Sequence, residues 1–349
     1  MAKKQHKIKL DDIARKLNVS KVTVSKALRG HPDISAATIE LVKKTSQKMG
    51  YVPNLTARNL SSNKTNTIGV VVPKVAHFFF GSIVESLYDE AFKNDYELIL
   101  TVSQENAERE RKHIETLLSM NVDGLIIAIS NETKNYDIFK TVERHDVPVI
   151  FIDRIPDLPN INKIVVSDKE GTFDAIEHAI NLGYTKIAYF SSYTNINIGR
   201  ERLAGYKKAM KKEKLSLNPE WILQGGFREE FGYESFMKLY DKKILPELIF
   251  TETYPVALGV YEAARKLKMN IPRDIDVICF GNADVQKYLN PPLSCVNQPT
   301  EIIAKKAIEM ILEEIDSKDK LLRREVVIST ELLLRGTCVN KNKGKRNDN

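Results

Sequence analysis

NVSKVTVSKALRG, Asn18 to Gly30, reads at first as a strand. Val22 and Val24 alternate with Lys21, Thr23 and Ser25, and β-branched residues suit a pleated sheet. The same letters also fit a short helix capped at Ser20, with Thr23 three residues on in support. The surroundings decide. Upstream, LDDIARKL sets Ile13, Ala14 and Leu17 on one helical face and puts Asp11 and Asp12 in the first turn, where the helix dipole favours acid. Downstream, Gly30 offers a C-terminal stop and Pro32 forbids continuation. A strand here would stand between two helices with nothing to pair with. As a helix, the segment turns Val24, Ala27 and Leu28 inward and leaves Lys21, Val22, Ser25, Lys26 and Arg29 outside.

The next stretch, DISAATIELVKKTSQKMGY, supplies a third helix. Ser35 is its N-cap, Ile39, Val42 and Met49 form its apolar face, and Gly50 ends it. Three short helices with a tight turn between the first two make a helix-turn-helix. Outward Ser and Thr hydroxyls and Lys ammonium groups suit phosphate oxygens and base edges, and Val22 suits a thymine methyl. In YVPNLTARNLSSNKTN, Pro53 fits the first position of another helix, with Ala57 and Leu60 on one side. About two turns are too few to hold in water alone, so this piece forms only when docked. Leu60, set among Asn54 and Arg58, fits a minor-groove wedge. An ordinary interdomain linker fits these residues too. The polar SSNKTN marks a domain boundary.

Charge divides at the same place. Residues 1–65 hold 14 Lys and Arg against 4 Asp and Glu, a balance of +10. The remainder holds 39 against 42 and is nearly neutral. A basic module on a neutral body points to a polyanion partner for the first part. The 349 residues suffice for two or more domains, and 42% hydrophobic residues suffice for sizeable cores. No apolar run approaches the length of a membrane span. The basic start lacks an apolar core and a cleavage site, which argues against export and for a cytoplasmic protein. Cys279, Cys295 and Cys338 are odd in number and widely spaced, which fits reduced thiols and no zinc site.

From Thr67 onward, apolar runs of strand length alternate with helical stretches: TIGVVV, YELILTV, DGLIIAIS and VPVIFID, then NKIVVSD, KIAYFSS, ELIFT and DIDVICFG. This pattern gives parallel sheets covered on both faces, in two doubly wound halves with a cleft at the carboxyl ends of the strands. A final helix and the strands around EVVIST and ELLLRG close the fold. Phosphate-loop, dinucleotide, zinc-protease and nucleophile-elbow motifs are all missing, and the six histidines are scattered, so no catalytic or metal residue and no cofactor is expected. Phe79 and Phe80, in HFFFGS after the first strand of the body, stack on a ligand ring or pack in the core. Asp153 ends VIFID and Arg202 opens RLAGY, two polar groups at the mouths of opposite halves; an Arg there offers a rigid fork of donors.

The ordered motifs V-S-x-x-T-V-S, G-Y-x-P-N-x-x-A-x-x-L and I-G-V resemble the DNA-binding headpiece and hinge of the lactose-repressor/purine-repressor family of bacterial transcription regulators, and the similarity extends through nearly the whole chain. The resemblance implies an all-α helix-turn-helix headpiece with a hinge helix, then a periplasmic-binding-protein-like α/β body of two doubly wound subdomains. On this scheme residues 1–52 are the headpiece and 53–66 the hinge and linker. Residues 67–166 with 299–324 form the first half, 167–298 with 325–338 the second, and 339–349 a polar tail. The chain crosses between halves three times, with the final helix in the first half and the last strands in the second.

The family further implies that Lys21, Val22 and Lys26 read bases. Arg29, left outside on the same helix, is a further DNA-binding candidate. Ser20, Thr23, Ser25, Ser35 and Asn54 take phosphate-contacting or flanking places. Leu60 matches the leucine that pries open the central base step of a palindromic operator, and Ala57 its small neighbour. Effector-binding places fall at Phe79, Phe80, Asp153, Arg202 and Phe227. Thr253 and Asn282 stand where many relatives carry pocket residues of other types: Thr253 and Tyr254 replace Asn-Asp, and Asn282 follows Gly281 in place of an Asp. The loss of these carboxylates leaves the ligand open. The expected protein is a homodimer, with a tetramer as a further option. It binds a double-stranded DNA operator and responds to a small molecule, a sugar or related metabolite. A small-molecule-binding protein with an incidental basic tail is the alternative, and a sugar-handling enzyme is disfavoured.

Overall fold

A computed structural model of the chain describes residues 8–52, 64–76, 78–317, 323–339 and 341. The chain divides into two compact units, Met1–Thr65 and Asn66–Asn349.

The first unit contains α1 (Leu10–Leu17), α2 (Lys21–Leu28) and α3 (Ala36–Met49) among its described residues. The ambiguous stretch is therefore helical. Ser20 caps α2 by accepting the Thr23 N–H at 2.9 Å, and the two hydroxyls bond each other at 2.8 Å. Ser35 caps α3 in the same way through Thr38. Gly50 ends α3 at φ +68, a left-handed conformation that glycine adopts without steric cost. Ile13, Ala14, Val24, Ala27 and Val42 close a small core, with Leu17, Leu28, Ile39 and Met49 packed around it. The expected hinge residues Asn54, Ala57 and Leu60 lie outside the described residues.

The second unit is built on two six-stranded sheets. Strands β1 (Thr67–Val72), β2 (Glu97–Val102), β3 (Gly124–Ile127), β4 (Val149–Ile152) and β5 (Asn162–Val166) belong to the first sheet, with α4 (Phe78–Lys93), α5 (Ala107–Ser119) and α6 (Asp137–Arg144) between them. Helix α7 (Asp168–Asn181) then opens the second half. There β6 (Ile187–Ser191), α8 (Asn197–Lys212), β7 (Ile222–Gln224), α9 (Glu229–Asp241), β8 (Leu248–Thr251), α10 (Tyr254–Lys266), β9 (Asp276–Phe280) and β10 (Ser294–Asn297) follow. Helix α11 (Thr300–Asp316) returns to pack beside α4 on the first sheet. The chain ends in β11 (Glu325–Ile328) and β12 (Glu331–Leu333).

The first sheet runs β11-β5-β4-β3-β1-β2 and the second β12-β10-β9-β8-β6-β7. Every neighbouring pair is parallel except β10 with β12. Helices cover the faces, so the strands are almost continuously apolar, as in the buried run of β1. Two glycines let α9 and α10 approach closely: a Cβ at Gly232 would lie 2.0 Å from the Val256 carbonyl oxygen, and one at Gly259 2.0 Å from that of Glu229.

One expectation is corrected here. Residues 325–338 do not all belong to the second half. β11 pairs in parallel with β5, Glu325 opposite Lys163 through Ile328 opposite Val166, so it forms the edge of the first sheet. Only β12 reaches the second sheet. Without β11 the first sheet would end at β5, and Lys163 pairs with Glu325 across the β5–β11 pairing at 3.1 Å. The last crossing thus falls between Ile328 and Glu331, next to the one at Ser167. Thr330 N–H donates to Ser167 Oγ at 3.0 Å and ties the two crossings together. In the polar tail, Lys341 is held by the Gly183 carbonyl at 2.6 Å and by Glu247 at 2.8 Å.

Candidate functional site

Two regions gather the residues singled out by the sequence. The first is the outer face of α2. Val24 and Ala27 are buried, whereas Lys21 and Arg29 are exposed and Val22 is 63% exposed. Packing within this unit does not explain an exposed valine flanked by hydroxyls and ammonium groups. Lys21 pairs with Asp11 at 3.0 Å and Lys26 with Asp33 at 2.9 Å. Both are surface pairs, which contribute little and release their cations readily to a stronger anion. The Lys26 ammonium holds the exposed Asp33 carboxyl below its ordinary range. Arg29 folds back on the Ser25 carbonyl at 3.2 Å. Thr23 and Ser25 are half-buried on the same helix, and Ser20 and Ser35 sit at the N-termini of α2 and α3. N–H groups at such ends suit phosphate.

The second region is a cavity of about 70 Å³ between the two sheets of the body. All seven side chains expected at the cleft line it: Phe79, Phe80, Asp153, Arg202, Phe227, Thr253 and Asn282. Its position is the one a doubly wound fold reserves for ligands, outside the carboxyl ends of the strands. Phe79 and Phe80 stand in the first turn of α4, edge to face with centroids 5.2 Å apart. Phe80 serves both readings, since it is buried in the core and also lines the cavity. Asp153 directly follows β4 at φ +58 and is buried. Burial pushes its carboxyl up, while Arg154, Arg202 and Gln298 hold it down.

Arg202, on α8, lines the cavity and also bonds within the protein. Its Nε donates to Asp168 Oδ1 at 2.6 Å, its Nη1 to the Glu252 carbonyl at 2.8 Å, and its guanidinium lies over the Phe280 ring at 3.8 Å. Asp168 is pushed up to about 7 by burial, against the pull of Arg202. Glu252, just past β8, accepts from Tyr189 Oη at 2.5 Å, Ser191 Oγ at 3.1 Å and Ser192 N at 2.6 Å. Burial pushes it up as well. Asn282 accepts at its amide oxygen from Arg335 Nη2 at 2.8 Å, and its amide NH₂ makes no hydrogen bond among the described residues. The Thr253 hydroxyl is buried without a hydrogen-bond partner among the described residues. Phe227 lies in the loop after β7, edge to face with Tyr193 at 5.5 Å.

Sequence reasoning missed four residues of this region. Arg154, Asp168, Glu252 and Gln298 are buried polar groups in or beside the cavity. The available signal was position: each stands just past the end of a strand. Among the described residues no group of three or more His, Cys, Asp or Glu side chains is placed to hold a metal ion. No helix there is long and apolar enough to cross a membrane. The three cysteines are buried and free.

A helix-turn-helix with an uncovered basic helix, in one chain with a two-sheet body around an aromatic-lined cleft, defines the class of DNA-binding transcription regulators with a ligand-binding body. Comparison narrows it. Residues 9–54 match bacterial regulatory proteins of the lacI family, and residues 176–338 match the periplasmic binding protein-like domain. The HTH-type transcriptional repressor PurR of Vibrio vulnificus (strain CMCP6) is 31% identical over 329 residues, covering 94% of this chain and 98% of its own. Catabolite control protein A of Priestia megaterium is 29% identical over 308 residues, covering 88% and 92%. The fold matches the crystal structure of the lac repressor dimer bound to operator and the anti-inducer ONPF with a TM-score of 0.85, at 24% identity, over 95% of this chain and 99% of that one. This chain belongs to the lacI family of bacterial regulatory proteins. It is a DNA-binding regulator of transcription and not an enzyme.

Proposed function

We propose that the protein represses transcription by binding a palindromic operator as a homodimer, under control of a small molecule held between the halves of its body. Helix α2 of each protomer enters the major groove. Lys21, Val22 and Lys26 meet base edges, and Ser20, Thr23, Ser25, Arg29 and Ser35 meet the backbone. Asn54 meets or flanks the backbone, and Ala57 and Leu60 of two protomers meet the minor groove at the dyad, with Leu60 as the wedge. The effector lies among Phe79, Phe80, Asp153, Arg202, Phe227, Thr253 and Asn282. It changes the angle between the halves and so the spacing of the two linkers. The site of action is the bacterial cytoplasm, at operators on the nucleoid.

The observation that carries this reading is the outer face of α2, where a 63% exposed valine is set among cations and hydroxyls with no packing role. The lac repressor dimer, bound to its operator together with a small ligand, is a precedent for the arrangement. Selection of bound sequences from a random DNA pool tests it, repeated with a panel of sugars and nucleobases. Recovery of a two-fold symmetric site whose affinity shifts with one panel member is the expected result. Equal, weak affinity for every sequence would leave only a small-molecule-binding protein.

A further inference from the structure

Cys279 on β9 and Cys295 on β10 are register partners in the parallel pairing of those strands, and both are fully buried. Paired residues of neighbouring strands point to the same face, so the two thiols meet. Such strands stand about 4.8 Å apart, within the roughly 4.4–6.8 Å between Cα atoms that a disulfide spans. The Cys279 thiol hydrogen-bonds the Cys295 sulfur. The Gly281 carbonyl and the Gln286 amide lie 3.4 and 3.5 Å from Cys279 Sγ.

A cation stands over this pair. Arg335, half-buried just past β12, donates from Nη1 to Cys295 Sγ at 3.3 Å. The same nitrogen meets Gln286 Oε1 at 2.9 Å and the Leu293 carbonyl at 2.7 Å, and Nη2 meets Asn282 Oδ1 at 2.8 Å. All three oxygens are neutral, and no carboxylate pairs with Arg335 among the described residues. A guanidinium drawn out of water calls for an anion. Of its partners, only the Cys295 sulfur can become one. The Cys279 hydrogen bond and the guanidinium accordingly lower the Cys295 thiol, against its burial. Burial and Cys295 raise the Cys279 thiol. Cys338 has the opposite setting: burial and the nearby Asp276 carboxylate push its thiol up.

We propose that Cys279 and Cys295 form a peroxide-oxidisable dithiol, in which Arg335 holds Cys295 as the attacking thiolate. The Cys295 sulfur attacks one oxygen of hydrogen peroxide; an S–O bond forms, the O–O bond breaks, and hydroxide leaves to take up the proton Cys295 had released. The Cys279 sulfur then attacks the resulting sulfenic acid. An S–S bond forms, the S–O bond breaks, and the departing hydroxide takes the Cys279 proton. Two thiols and one peroxide become one disulfide and two waters, with two electrons passing from sulfur to oxygen. The route in is short. Asn282 lines the cleft cavity of about 70 Å³, and Cys295 Sγ lies 3.6 Å behind its amide oxygen. That space admits a molecule little larger than water. Nothing in this chemistry depends on what the cleft binds.

The test treats the reduced full-length protein with hydrogen peroxide, blocks the remaining thiols with N-ethylmaleimide under denaturing conditions, and maps the peptides by mass spectrometry. A Cys279–Cys295 cross-link is expected, with Cys338 still alkylated. Cys279→Ser should stop at the Cys295 sulfenic acid, trapped by dimedone. In the wild type the rate should reach half its maximum well below the pH of about 8.5 at which a free thiol ionises. Arg335→Gln should slow the reaction about ten-fold near neutral pH, as one unit of thiol ionisation implies, and match the wild type in strong alkali. Arg335→Lys keeps the cation and should restore part of the rate. If Arg335→Gln does not fold by circular dichroism, the wild-type pH profile decides. Absence of the cross-link, oxidation of Cys338 as fast as Cys295, an ordinary thiol pH profile, or wild-type rates in folded Arg335→Gln each overturns the dithiol.

Discussion

The Nε of Arg202 donates to Asp168 Oδ1 at 2.6 Å, and both side chains are almost wholly buried. Such a pair repays its desolvation only while both partners are present. Arg202→Ala is therefore expected to cost about 3–5 kcal/mol in urea unfolding. The stranded Asp168 escapes part of this by taking a proton, as burial already pushes it to about 7. The cost should accordingly be larger at pH 8 than at pH 6. Adding Asp168→Asn should recover part of it, and equal costs at both pH values would contradict this account.

Glu110 gives a second pH signature. Its carboxylate accepts from Ser130 N at 2.5 Å and from Thr133 Oγ1 at 2.8 Å, and burial pushes it from 4.5 up to about 7. The folded state then binds a proton more tightly than the unfolded state. This contribution to stability is complete below pH 4.5 and is lost as the pH rises through 7. A loss of about 1–3 kcal/mol is expected over that window. Glu110→Gln should flatten the stability profile there by the same amount, as read by denaturant titration at several pH values.

On α2, Lys21→Ala and Lys26→Ala should each weaken DNA binding and relax sequence preference at the base pair that the lysine reads. Arg29→Ala, at the backbone, should weaken binding to all sequences alike and lower the slope of log affinity against log salt by about 1. Val22→Ser should leave the salt slope unchanged and alter preference at one base pair. Binding isotherms at several salt concentrations, on the selected operator and its single-base variants, distinguish these cases.

The Ser20 cap should be measurable without DNA. Ser20→Ala removes the acceptor for the Thr23 N–H and is expected to cost about 1 kcal/mol of headpiece stability. Ser20→Asp should retain most of it. Thermal unfolding followed by circular dichroism reads the difference, and equal midpoints for all three would deny the cap any energetic weight.

What the sequence disclosed depended on range. The caps at Ser20, Ser35 and Gly50 are contacts within a few residues, so local chemistry specified them. Phe79 and Asp153 were legible because strand ends in a doubly wound sheet converge, whereas Phe227, Thr253 and Asn282 were placed only by the family resemblance; all five line one cavity. Arg154 was passed over one position from Asp153, because Phe227, the ring its guanidinium lies over, is a residue across the cleft. The same holds for Asp168 and Glu252, whose partner Arg202 lies on another element. EVVI carries no mark of which sheet it joins; the edge that β5 would otherwise form decides, and the opposed charges of Lys163 and Glu325 are a cue visible only once that pairing is drawn.

The destinations of β11 and β12 bear on how the protein is made. One terminal strand completes each sheet, and α11 before them covers the first, so neither lobe is contiguous along the polypeptide. On a translating ribosome both lobes must wait, with raw edges, until the closing fifty or so residues emerge, a delay typical of long-range pairing. Shortened versions that stop before Thr300 should accumulate as chaperone clients, not as a smaller working module.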